Sequence, residues 1–416
     1  MRGKQELGLQ SLRHASGGSG EARGARLSVS LSGTNLVRAA DYNQRTVLQA
    51  IRLSGETTRL ELARQTGLTA ATIANITGRL IELGLVSLAG RYQGARGQPA
   101  LRLTIDPDGA FAIGLNIDRD HVTMVTLDLA GEVRSRVSCE MAFALPEDVL
   151  AYVRDQLDGL IEAGGIQRER VLGVGVALPD ELGAIALPHR PDRYDEWSQL
   201  NVAQLLGDVL PWPVLVDNDA AAAALGEAQC TGFENASFFY LLISAGLGGG
   251  PVIDGSYYRG ATARSGEIGL MPDPTAQTQG ALVQDTVSLS ALTARLEAAG
   301  QPFAELEDLI STDPATLAVV DLWLGDATRT LIAPLVAVNC LINPGAVLIG
   351  GRLPLPLIER LSVSLNTALG QLMLPSLAQV APATMAGDAP AIGAAVLPFL
   401  DQLLPSDAIL IQAGRG

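Results

Sequence analysis

Apolar and polar positions change period along this chain, and the changes divide it into parts. Residues 42–53 carry Val47, Leu48 and Ile51 at helical spacing, so this stretch predicts an amphipathic helix. Leu60, Leu62 and Ala63 predict a second, short helix that Gly67 ends. Thr69 is placed to cap a third, with Ile73, Ile76, Leu80 and Ile81 along its inner face, and this helix stops at Gly84. Leu85–Leu88 and Ala100–Thr104 then read as two strands around a glycine- and arginine-bearing tip. Residues 1–34 lack such a pattern, and they predict a disordered, weakly basic tail.

From Phe111 onward short buried strands alternate with helices. Ala112–Ile117 and Val122–Leu129, split by Asp118-Arg119-Asp120, predict a hairpin. A helix is expected over Leu145–Ala163, and strands over Val171–Leu178, Val214–Val216 and Phe238–Ser244. Glycines 246, 248, 249 and 250 read as a loop, followed by a run over Pro251–Ile253 and a turn at Asp254-Gly255. The last third predicts helices over Leu317–Leu341 and Leu357–Leu372, with a strand Ala346–Ile349 and a turn at Gly350-Gly351 between them. The class is α/β. The repeated order of hairpin, helix and glycine turn suggests two similar lobes around a cleft.

Charge sharpens this division. The net charge of −15 is unevenly spread. Residues 1–102 hold 14 Lys and Arg against 6 Asp and Glu, whereas the rest of the chain holds 15 against 38. A basic head on an acidic body points to a polyanionic partner for the head alone. A solvated arginine-rich face is the plain alternative. Helix, glycine turn, helix and wing is the arrangement that lays its second helix in a DNA major groove. The outward residues there are Thr69, Ala71, Thr72, Asn75 and Arg79, and the wing tip adds Arg91, Arg96, Gly97 and Gln98. Threonine, asparagine and arginine can read base edges or bind phosphate, and an Arg-Gly element can enter a minor groove. A dimerisation module is the alternative.

Three well-separated cysteines, Cys139, Cys230 and Cys340, argue against a disulfide framework or zinc ribbon and fit a reducing cytoplasm. No apolar run reaches membrane-spanning length, so no membrane partner is expected.

Val216–Glu227, reading VDNDAAAAALGE, is the stretch around which the body is organised. A strand ends on Asp217, Asn218 and Asp219, and an alanine-rich helix carrying Glu227 follows. Carboxylates at a strand end are placed to hold a polar ligand. Asp219 could equally serve only as a helix cap.

Several motifs in order now carry a resemblance: GLTAATIANITGRLIELGLV, AIGLNI, GVGVALP, WPVLVDNDAAAAALGE, ISAGLGGGPVIDG, RGATARSGEIG, NPGAVLIGG and GDAPAIGAA. The chain resembles the ROK family (repressors, open reading frames and sugar kinases), in its regulator branch with an N-terminal winged helix-turn-helix. The likeness runs from about Asn35 to Leu400. It implies a winged-helix DNA-binding domain over 35–105, followed over 106–416 by the actin-like two-lobed fold of the sugar kinase superfamily. It also implies operator DNA as partner, a sugar or sugar-derived effector in the cleft, and a homodimer or homotetramer.

The resemblance places the kinase base at Asp219 and a sugar contact at Asn218. The family's first phosphate loop, Asp-Ile-Gly-Gly-Thr, is here Asn116-Ile117-Asp118-Arg119-Asp120, without its acid and glycines. An aspartate facing phosphate would repel it. Gly246, Gly248 and Gly250 remain in the second loop, where the family threonine is Ala245, but close packing explains glycines as well as ATP does. No ATP cofactor and no kinase activity are therefore expected. Family Gly-Glu-Ile-Gly-His is here Gly266-Glu267-Ile268-Gly269-Leu270, and Val283 stands where a family glutamate aligns. Neither a histidine nor a cysteine is left there for zinc, so no metal is expected. The ligand set implied is Asn218, Asp219, Glu267, Leu270 and Val283. His189 lies in a polar loop near the expected cleft mouth. A sugar kinase with an added DNA-binding head, and a regulator whose vestigial cleft serves only dimerisation or partner docking, are the alternatives.

Overall fold

A computed structural model describes residues 36–92, 100–180, 182–184, 190–230, 237–303, 305–310 and 313–405. The wing-tip residues Arg96, Gly97 and Gln98, His189 and the tail 1–34 lie outside them.

The head opens with α1 (Leu36–Ser54), β1 (Glu56–Thr58), α2 (Arg59–Thr66) and α3 (Ala70–Glu82), and closes with β2 (Val86–Tyr92) and β3 (Ala100–Ile105). The two wing strands were expected, but β1 was not. It is three residues long and joins the outer edge of β3, so the wing sheet runs β1-β3-β2. Arg91 falls within β2, opposite Leu101, so the strand reaches further into the wing than its apolar pattern implied.

The first lobe contains β4 (Phe111–Ile117), β5 (His121–Asp128), β6 (Val133–Glu140), α4 (Pro146–Gly164), β7 (Val171–Leu178), α5 (Val202–Gly207) and β8 (Val214–Asn218). Its sheet order is β6-β5-β4-β7-β8, so the expected hairpin is one part of a three-stranded antiparallel unit. α6 (Asp219–Cys230) leads out of this lobe. The second lobe contains β9 (Phe238–Ile243), β10 (Leu247–Ile253), β11 (Ser256–Tyr257), α7 (Leu289–Ala298), α8 (Pro314–Leu341), β12 (Ala346–Gly351), α9 (Leu355–Leu369) and β13 (Gln379–Pro382), and α10 (Ala389–Gln402) follows it. Its order is β11-β10-β9-β12-β13. In both sheets three antiparallel strands continue into two parallel ones, so the architecture is one unit repeated, the actin-like two-lobed α/β body.

Outer helices α4 and α5 cover the first sheet, and α7, α8 and α9 cover the second. On the inner faces the helices are exchanged. α6 leaves the first lobe yet packs on β9 and β10, while α10 follows the second sheet yet packs on β4 and β7. The two cross through small residues. A Cβ built on Gly393 would lie 1.6 Å from the Ala222 carbonyl oxygen, and, where α10 lies on β7, one on Gly175 would lie 1.7 Å from that of Ala394. Only glycine lets backbone approach this closely.

The same cause overturns two loop expectations. Gly248, Gly249 and Gly250 belong to β10, laddered onto β9, and Gly350 and Gly351 belong to β12. A Cβ on Gly250 would lie 2.6 Å from that of Ala224, and one on Gly350 would lie 1.9 Å from the Tyr240 hydroxyl. These glycines make room for α6 and for a buried tyrosine.

Candidate functional site

Local chemistry builds the head. Thr58 and Glu61 form a reciprocal cap, with Thr58 N–H donating to Glu61 at 2.8 Å and Glu61 N–H to Thr58 at 3.3 Å. Gly67 closes α2 with φ 70°, its N–H reaching the Ala63 carbonyl at 3.0 Å. Thr69 caps α3 by accepting from Thr72 N–H at 3.2 Å. Arg59 spans the two helices to Thr77 at 2.9 Å. Ile73 and Leu80 are buried, while Ile76 and Ile81 pack partly beneath. Thr69, Ala71, Asn75 and Arg79 are exposed and Thr72 is half-buried. Thr72, Asn75 and Arg79, three and four residues apart, share one face of a 13-residue helix. That face is free to enter a groove.

The head is not a detached module. Its core runs on into the body through Leu127, Leu129, Leu225 and Val396. α1 makes the polar ties. Arg52 donates to the Leu129 carbonyl at 3.1 Å and to that of Gln229 at 2.6 Å. Gln49 bonds the Gln229 side chain at 2.9 Å, and Arg45 reaches the Asp401 carbonyl at 2.9 Å.

At the far end of α6 lies the cleft. Asn218 supplies the helix cap, its Oδ1 accepting from Ala221 N–H at 3.0 Å. Asp219 is instead the first helical residue and accepts from Ala220 N–H at 2.7 Å. The cap considered for Asp219 thus belongs to its neighbour, because only the residue before the first helical turn points back at N3. Asp217 is turned aside into a two-point pair with Arg259, 2.8 Å on one arm.

Asp118, Asp180 and Glu267 converge on Asp219. Burial, first, and then the charge of Asp118 push the Asp219 carboxyl up to about 7, against Arg119 and the Ala220 N–H; Asp180 adds to the rise. Glu267 is also raised to about 7, by burial, then by a hydrogen bond and charge from Asp180 and by the charge of Asp219, with Arg264 opposing. A hydrogen bond between two carboxyls needs a proton on one of them. Arg264 stands 3.6 Å from Asp180. Asp118, Arg119, Asp180 and Arg264 were absent from the implied ligand set. Asp180 had a legible signal, since Val171–Leu178 ends on Pro179-Asp180 much as β8 ends on its own carboxylates.

Of the two apolar members, Leu270 is 51% exposed beside Glu267. Val283 is fully buried in the second lobe's core, against Leu247 and Ile268, and presents no surface to a ligand. Its place in the implied set is corrected: an aliphatic side chain there is drawn into the core that a glutamate would avoid.

The phosphate-loop positions are occupied by the chain itself. Asp118 N–H donates to the His121 carbonyl at 3.0 Å and Arg119 N–H to the Asp118 carboxylate at 2.7 Å, so neither amide is open to an anion. Arg119 extends over the second glycine run, 3.4 Å from where a Gly246 Cβ would sit. Among the described residues one group has metal-ligand chemistry, Asp118, Asp120 and His121. Both Asp120 oxygens are engaged, by His121 and Arg352, one Asp118 oxygen accepts from Arg119 N–H, and His121 Nε2 meets Asn116.

Raised carboxyls give a signed expectation. The folded state binds more protons than the unfolded chain between the ordinary carboxyl range and about pH 7, so stability falls as pH rises through that window. Asp219→Asn should therefore raise the melting temperature of the ligand-free protein at pH 8 and flatten the fall between pH 5 and 8. Differential scanning calorimetry across that range is the check; an unchanged slope would remove Asp219 from the titrating cluster.

A family model described as ROK family matches residues 112–399, and one described as winged helix-turn-helix DNA-binding matches 41–87. An uncharacterized protein, y4fQ, of Sinorhizobium fredii is 29% identical over 331 residues, 77% of this chain and 80% of that protein. A xylose repressor of Caldicellulosiruptor bescii is 27% identical over 233 residues, 55% of this chain; the match spans only 57% of the repressor's own length. A crystal structure of a ROK family transcriptional regulator, a homolog of the Escherichia coli Mlc protein, superposes with a TM-score of 0.64 at 23% identity, over 91% of this chain and 100% of that one, and this likeness shows the fold.

Proposed function

We propose, from the premise that this chain belongs to the ROK family, that it is a DNA-binding transcription regulator, a repressor, whose cleft binds a sugar or sugar-derived effector without phosphorylating it. α3 reads the operator, and two heads in a homodimer or homotetramer meet a palindromic site, in a cytoplasmic protein. Asn218, Asp219, Asp180 and Glu267 hold the effector's hydroxyls, as hydrogen-bond acceptors that become costly when buried without partners.

One observation carries the reading. α6 has the ligand carboxylate Asp219 at its first turn and the head's anchor at its last, where Gln229 receives Arg52 and Gln49. Twelve helical residues span roughly 18 Å. An effector that favours one tilt of α6 shifts α1, and with it the spacing of paired heads. Such coupling needs different affinity for the two arrangements.

The test is operator binding by fluorescence anisotropy with a panel of sugars, beside thermal shift with the same panel. A sugar that stabilises the protein and weakens operator binding supports the proposal. If none of the panel stabilises it, the cleft serves docking or dimerisation only. A kinase reading is favoured by a carboxyl titrating at about 7, suited to a general base. It predicts sugar-dependent ADP release that Asp219→Asn abolishes, and the proposed reading predicts none.

A further inference from the structure

Between the lobes lies a cavity of about 720 Å³, lined in part by the phosphate-loop positions Arg119, Asp120 and Ala245. Its mouth carries charges that neither effector nor DNA uses. Arg352 follows β12 in the second lobe, with its N–H fixed to the Ile243 carbonyl at 2.9 Å. Its side chain crosses to the first lobe. One Nη donates to Asp120 at 2.7 Å and the other to Glu140 at the end of β6. The remaining Asp120 oxygen is taken by His121 Nδ1 at 2.7 Å, and His121 lies opposite Glu140 in the β5–β6 ladder. His121 Nε2 meets the Asn116 amide at 3.1 Å, where Asn116 is 2% exposed and its Oδ1 has no partner.

We propose that Asp120, His121, Glu140 and Arg352 form an interlobe latch: a charge-assisted tie that holds the lobes together across the mouth of this cavity and must open for them to separate. Arg352 is 12% exposed, so its charge is poorly hydrated and depends on its partners. Asn116 accounts for the state of the histidine. Turned about its amide axis, it offers the orphan oxygen to Nε2, and His121 then donates from both nitrogens as an imidazolium.

The groups facing His121 are Asp118, Arg119 and Asp120 on its own turn, Glu140 on β6 and Arg352 after β12. Burial lowers its affinity for a proton, but the Asp120 bond and the charges of Asp118 and Asp120 more than offset burial and Arg352, so its value is raised. A raised histidine stabilises fully below its unfolded value of 6.5, and the contribution is lost as pH climbs through the folded one. Asp120 is held low despite its burial, by His121 and Arg352, and its contribution is lost only in acid. The histidine's contribution is internal to the first lobe, because Asp118 and Asp120 raise His121 from its own turn, whereas Arg352, its partner across the cleft, opposes the proton; the latch is therefore looser at pH 6 than at pH 8.5. Asp118 and Arg119 beside Asp219 place the same turn against the effector carboxylates, so the latch and the ligand half of the cleft share one backbone segment. The latch itself stands whichever ligand the cleft takes.

The test uses the full chain, hydrogen–deuterium exchange and small-angle X-ray scattering at pH 6 and 8.5. Arg352→Gln should speed exchange of the peptides covering 117–123 and 137–142 by roughly five- to tenfold and enlarge the radius of gyration. Arg352→Lys should restore part of both. His121→Gln should abolish the difference between the two pH values, while circular dichroism reports a folded chain. The latch is overturned if Arg352→Gln exchanges and scatters like the parent, or if His121→Gln keeps the pH difference. It is also overturned if added Zn²⁺ stabilises the parent but not His121→Gln, which would make the cluster a cation site.

Discussion

Alanine at both Asn75 and Arg79 should weaken operator binding by roughly 100-fold or more, since each base-edge contact is worth about 1–3 kcal/mol. Both side chains are exposed on α3, and neither supports the buried face that Ile73 and Leu80 supply. Stability should change by less than about 0.5 kcal/mol, as for other exposed sites. The loss is thus separable from unfolding. An operator fragment selected with the parent protein, titrated at several salt concentrations, gives the measurement. If Arg79 contacts phosphate, its removal alone lowers affinity for every sequence and reduces the salt slope by about one. If it reads a base, specificity relaxes at one position. Undiminished affinity in the double variant would show that α3 is not the recognition helix.

Gly393→Ala is the largest stability effect expected from a single methyl group. The added carbon would lie 1.6 Å from the Ala222 carbonyl oxygen, a backbone atom that no side-chain rotation can move aside. α6 and α10 must separate, and each is fixed to a different sheet. Overpacking of this kind costs about 3 kcal/mol, at the upper end of its usual range. At ~2–4 °C per kcal/mol the melting temperature should fall by roughly 6–12 °C. Gly159 in α4 is the control, with no heavy atom within 4 Å of its Cβ position. Gly159→Ala should be neutral or stabilise by up to about 1 kcal/mol. Equal melting temperatures for the two variants would mean that the crossing yields freely.

Much of the fold is legible where one face of an element is apolar and its ends are marked. Val171–Leu178 reads as a strand over the residues it occupies, and α4 is displaced by one residue. Thr69 and Gly67 mark the helix-turn-helix because capping and left-handed backbone are local chemistry. β6 escapes such a reading: VRSRVSCE runs at a sheet edge with its side chains partly in solvent, so apolar residues do not dominate it. Glycine in β10 and β12 resembles a loop because the reason for it, a helix or tyrosine packed on the strand, is distant in sequence. For the same reason the site is only half legible. Asn218 and Asp219 announce themselves at one strand end and Glu267 in its glycine-flanked motif, but Asp118 and Asp180 gather around them only once separate segments fold together.

The exchanged helices also order events in time. The head's core includes Val396 and Phe399 of α10, and Arg45 in α1 bonds Asp401, 356 residues away. A ribosome therefore releases α1–α3 long before their supporting surface exists. The first sheet's inner face stays largely bare for as long, since α10 supplies most of its cover. On the proposed reading, operator binding in full strength is then a property of the finished chain: a nascent or truncated one lacks the buttress beneath α1–α3.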